Sequence, residues 1–117
     1  MAFGLNTCHG RAGADKPLAF DNIELLLSYL VTLPKSLVTA ALHGFEFGNE
    51  VCVTGVTMEQ WTKDLEHLHS LVRQKFLAAG YSESETPVLI GPDCGFRKDF
   101  IQPVFSSGHV LIAMMCG

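Results

Sequence analysis

Short apolar runs alternate along this chain with longer stretches of helical period, and that alternation most limits its fold. "AFGLN" is an apolar run ending in a polar residue, and reads as the end of a strand. Asp21 and Glu24 then have capping-box spacing, with Ile23, Leu26, Leu27 and Leu30 on one helical face and Pro34 as the stop. "ALHGFEFGNE" is the next strand. Thr57 and Gln60 mark a second capping box, opening a helix whose stripe is Trp61, Leu65, Leu68, Val72 and Phe76, with Gly80 at its end. "PVLIGPD" is nearly continuous in apolar residues from Val88 to Gly91, the pattern of a strand buried on both faces of a parallel sheet. A shorter helix is expected from about Arg97 to Phe105, and "HVLIAMM" reads as a last strand. The order β-α-β-α-β-α-β predicts an α/β fold with parallel strands and helical crossovers.

At 117 residues the chain is one small domain, and with 48% hydrophobic and 17% charged residues its composition is globular. Its longest apolar run is far below the ~20 residues that span a bilayer, so no transmembrane segment is expected. The start "MAFGLNTCHG" lacks a basic region followed by an apolar core, so these residues are not expected to act as a signal peptide. A net charge of −4 without a basic cluster argues against a nucleic-acid partner, because phosphate neutralisation needs grouped Lys and Arg.

All three strand-to-helix junctions carry polar residues: Asn6 with Cys8 and His9, Asn49 with Glu50, and Asp93 with Cys94. In α/β folds the C-terminal ends of parallel strands are where sites are built. Glu46 and Glu50 do not form a catalytic couple. Four residues apart on a strand they share a face at roughly 13 Å, whereas paired glycosidase carboxyls stand about 5–9.5 Å apart. Glu46 is expected to be structural, accepting hydrogen bonds from neighbouring strands. Glu50, at the open end of its strand, is placed for partial desolvation and a raised pKa, as a general acid requires. Gly48 leaves room for a ligand near the backbone, and Asn49 offers a donor and an acceptor to a sugar hydroxyl. Asp93 sits one strand away, either as a second carboxylate or as a turn residue.

Cys8, His9, Cys52 and Cys94 fall at the same end of the expected sheet, but their long spacings and the lack of any C-x-x-C pair give little basis for a zinc site. No metal or other cofactor is expected. His67 and His69 face different sides of their helix and make no ligand pair, and His43 and His109 read as strand-edge residues.

Taken in order, "FGLN", "FDNIELLLSYL", "GFEFGNE" and "LIGPDCG" resemble the glycoside hydrolases that include heparanase and related β-glucuronidases. The resemblance spans residues 2 to about 105. It implies a (β/α)8 barrel and retaining hydrolysis of a glucuronide bond. By that resemblance Glu50 is the general acid/base, Asn49 holds the sugar 2-hydroxyl, and Asn6 and Asp93 line the pocket. The implied partner is a glucuronide or polysaccharide such as heparan sulfate, and the implied location is secreted or lysosomal. Such enzymes bind acidic sugars with basic residues, and here Arg11, Lys16, Arg97 and Lys98 lie near the junctions.

The sequence departs from the family where proline usually follows "GNE", having Val51 there, and after Phe105. The family's nucleophile, a second glutamate on a later strand, has no counterpart. A full barrel takes roughly 200 residues or more, so the chain is expected to be a barrel fragment, about strands three to six. Such a piece exposes strand edges and is expected to self-associate. Two other readings stay open: a non-catalytic carbohydrate-binding or regulatory product, and a free-standing α/β domain of flavodoxin-like architecture.

Overall fold

The computed structural model describes residues 1–5, 7, 10–48 and 56–91. Strands β1 (Ala2–Leu5), β2 (Gly44–Phe47) and β3 (Val88–Ile90) form a parallel sheet in that spatial order. The helices among the described residues are α1 (Asp21–Leu30), α2 (Lys35–Ala41) and α3 (Met58–Ala78), with a 3-10 turn at Glu83–Glu85. The α/β class and the parallel pairing are as expected for these three strands. The expected helix over 97–105 and the strand "HVLIAMM" lie outside the described residues.

Helix α3 follows its sequence signals closely. The Thr57 side chain accepts from the Gln60 backbone N–H at 3.2 Å. The Gln60 side chain turns instead to Asp64, at 2.9 Å, so only one half of the capping box is made. Trp61, Leu65, Leu68, Val72 and Phe76 are all buried. Each such side chain contributes about 1.5–3 kcal/mol by leaving water, an upper figure against a compact unfolded chain.

Helix α1 begins where expected, but Asp21 does not cap it. Phe20 holds the N-cap position without a side-chain cap bond, and Asp21 and Glu24 lie in the first turn, where their charges meet the positive end of the helix dipole. Helix α1 ends at Leu30, with Val31 as its C-cap, four residues before the expected stop at Pro34, which instead opens α2, a helix the sequence pattern did not announce. The Pro34 carbonyl accepts from Leu37 and Val38 at 3.0 and 3.1 Å, and a missing N–H costs nothing at a helix start.

The core lies on one face of the sheet. Phe45 and Phe47 are fully buried there, with Phe47 against Trp61 at 5.7 Å and Phe20 at 6.5 Å between ring centroids. Strand alternation turns Ala2, Gly4, Gly44, Glu46, Val88 and Ile90 to the other face. Ala2, Gly4 and Val88 are exposed there, and Glu46 and Ile90 half-buried. The reading of β3 as buried on both faces is therefore corrected: Leu89 is 3% exposed beneath the helices, whereas Val88 is 42% exposed opposite. His43 borders the central strand at its start, donating its N–H to the Met1 carbonyl and accepting from the Val88 N–H through its own carbonyl.

Candidate active site at the strand ends

Parallel pairing brings the C-terminal ends of all three strands to one edge of the sheet. Leu5 pairs with Phe47, and Glu46 with Ile90. The Gly48 N–H donates to the Leu5 carbonyl at 2.8 Å, extending the β1–β2 ladder past the last strand residue. Gly48 has φ +87°, a conformation that glycine takes without steric cost. Asn6 follows Leu5 in sequence, Asn49 and Glu50 follow Gly48, and Asp93 comes two residues after Gly91. All four lie outside the described residues. So do Cys8, His9, Cys52, Cys94, Arg97, Lys98 and His109. The structure thus brings together the residues that lead into these positions.

Beneath this edge sits Trp61. Its indole Nε1 donates to the Phe47 carbonyl at 3.3 Å. A Cβ on Gly91 would lie 3.2 Å from Trp61 Cζ2, so the indole and the backbone after β3 are in close contact. Sequence periodicity placed Trp61 on the buried stripe of α3, but its part in supporting the ends of β2 and β3 was not legible.

The segment between β1 and α1 is built around Arg11. Its Nε donates to the Thr7 carbonyl at 3.0 Å and its Nη1 to the Lys16 carbonyl at 2.6 Å. Nη1 also lies 2.6 Å from Asp64 Oδ2 on α3, both side chains being only 4% exposed. That contact is ionic rather than a directed hydrogen bond, since Asp64 Oδ2 lacks a hydrogen-bonded partner among the described residues. Asp64 Oδ1 accepts from Gln60 Nε2 at 2.9 Å and from the Leu18 N–H at 3.4 Å. The expectation that Arg11 stands ready near a junction for an acidic sugar is corrected: its charge is buried and spent on Asp64. Removing one member of such a pair leaves an uncompensated buried charge and costs about 3–5 kcal/mol. Lys16 is exposed.

Glu46 is half-buried on the open face of the sheet, four residues before Glu50. Among the described residues no group of three or more His, Cys, Asp or Glu side chains is placed to hold a metal ion. No single helix among them is long and apolar enough to cross a membrane. His67 meets the edge of Phe20 at 4.6 Å, a packing role.

A parallel α/β sheet whose polar junctions all follow one set of strand ends defines a class: α/β domains that build their site at the carboxyl edge. Within that class the chain is identified by its match to the N-terminal domain of glycosyl hydrolase family 79 over residues 1–115, and it belongs to that family. No curated protein matches it. The resemblance read from the four sequence segments is thus borne out, and with it the coarse class of glycosidase.

Proposed function

We propose that this chain carries the acid/base side of a retaining glycosidase site that cleaves glucuronide bonds in an acidic polysaccharide. The observation that carries the reading is the family match over residues 1–115, with "GNE" falling directly after the end of β2. In this reading Glu50 protonates the glycosidic oxygen as the leaving group departs, then takes a proton from the incoming water. Asn49 holds the sugar 2-hydroxyl, and Asn6 and Asp93 line the pocket from the neighbouring strands.

The sheet is, in the same reading, part of a (β/α)8 barrel, about strands three to six. One-sided helix cover among the described residues supports this over a flavodoxin-like layer, in which helices pack on both faces. The face bearing Gly4, Gly44 and Glu46 is then the barrel interior.

The test is binding and chemistry at Glu50. The chain is expected to bind 4-nitrophenyl β-D-glucuronide in preference to the β-glucoside, and Asn49→Ala to weaken that binding. In any longer form of the protein that turns over glucuronides, Glu50→Gln is expected to lower kcat by about 10²–10⁴-fold. The loss should be greater for poor leaving groups than for 4-nitrophenol. Equal binding of glucoside and glucuronide would refute the substrate class, and a loss independent of leaving group would refute the acid/base role.

A further inference from the structure

One buried ion pair joins the segments that leave two different strand ends. Arg11 belongs to the loop after β1, and Asp64 to α3, the helix reached after β2. The guanidinium spans its own loop, bonding the Thr7 carbonyl at the start and the Lys16 carbonyl near the return. The backbones of Arg11 and Leu18 form an antiparallel bridge, and the Ala19 N–H donates to Gly10 at 3.0 Å. The loop is thus closed on itself. It is fastened to α3 at separate points: Asp64 receives Arg11 and the Leu18 N–H, and the Thr57 N–H at the cap of α3 donates to Ala14 at 2.8 Å.

An apolar pair of similar volume would fill the same space without desolvating two charges. It would not fix direction. Here the guanidinium directs Nε and Nη1 to the Thr7 and Lys16 carbonyls, and Asp64 Oδ1 accepts from Gln60 and from the Leu18 N–H, so the partners on each side set the orientation in which the two charges meet. The polar pair therefore does something that packing alone does not.

We infer that Arg11 and Asp64 are positioning residues, holding the loop that follows β1 in a fixed place against the first turns of α3, the helix entered after β2. As a statement about catalysis this rests on the proposed function, and neither residue touches substrate in it.

The double variant Arg11→Met/Asp64→Leu in the full chain separates positioning from mere stability. Its Tm is expected to stay close to that of the parent chain, since apolar replacement of a buried pair is often neutral. Amide exchange at Gly48 and Thr57 is expected to quicken by about tenfold or more, and affinity for 4-nitrophenyl β-D-glucuronide to fall with it. A parent-like Tm with exchange and affinity both unchanged overturns the inference. If the double variant does not fold, Arg11→Lys, which keeps the charge and loses the fork, carries the same exchange comparison, and parent-like rates there overturn it equally. A parent chain that binds no glucuronide refutes the role given to Glu50 alone. Exchange, which needs no ligand, then decides the positioning role.

Discussion

The indole Nε1 of Trp61 donates a hydrogen bond to the carbonyl oxygen of Phe47, 3.3 Å away at the last residue of β2. Both residues are fully buried, so the carbonyl has no water to turn to when the donor is removed. Trp61→Phe is expected to cost about 1–3 kcal/mol through the unsatisfied acceptor. Trp61→Ala should cost about 3–5 kcal/mol, because a cavity is added. Urea unfolding midpoints measure both. A near-zero loss for Trp61→Phe beside a full loss for Trp61→Ala would show that the hydrogen bond contributes little beside the packing.

Gly91 has φ +153°, and a Cβ there meets Trp61 Cζ2 at 3.2 Å. Gly91→Ala is expected to destabilise by about 1–3 kcal/mol through overpacking and backbone strain. Trp61→Phe removes the opposing ring atoms, so the two substitutions together should cost less than their sum. Strict additivity in a double-mutant cycle would argue that strain at φ, not the contact, sets the cost.

The carboxyl of Glu85 is lowered from 4.5 to about 2, first by its bond to the Lys35 ammonium at 2.7 Å and then by the Ser82 N–H and hydroxyl. A folded value below the unfolded one gives stability that is complete above about pH 4.5 and is lost as pH falls through about 2. Both side chains are well exposed, so the effect should be small and screened by salt. Carbon-detected NMR titration of Glu85 checks it: Lys35→Ala should return the midpoint toward the usual carboxylate range. An unmoved midpoint would assign the lowering to the Ser82 cap instead.

Met1, Phe3 and Val88 are 67%, 44% and 42% exposed, and β1 is an edge strand among the described residues. An edge of this kind offers unpaired backbone groups beside apolar side chains. The chain is expected to associate as its concentration rises, and Phe3→Lys to weaken that association. Size-exclusion chromatography giving one concentration-independent monomer peak would refute this.

The chain by itself is expected to show no turnover of a chromogenic β-glucuronide. Retaining hydrolysis needs a nucleophilic carboxylate about 5–5.5 Å from the acid/base, and in the proposed reading these 117 residues supply the acid/base side alone. Turnover abolished by Glu50→Gln would overturn the expectation and would point to Asp93 as the partner.

Much of the architecture was legible because it is local. The α3 stripe and its Thr57 cap depend on residues three and four apart, and the parallel order followed from strands separated by helix-length segments. The start of α1 was legible, but Phe20, not Asp21, took the cap position. Helix α2 was hidden because Pro34 reads as a stop, and a proline equally suits the start of a helix. The candidate site was legible as a set of junction residues, from motif and family pattern. Arg11 and Lys16 looked alike in sequence, as cations near a junction. Burial and the approach of Asp64 from α3 separated them.

By itself, then, the sequence determined the α/β class, the family, and which residues follow each strand, since these depend on periodicity and on motif order. Only the tertiary structure decided that helices cover one described face of the sheet, that Trp61 supports the ends of β2 and β3, and that Arg11 is committed to Asp64. Those facts rest on contacts between residues far apart in the chain, and no local pattern encodes which buried charge will meet which.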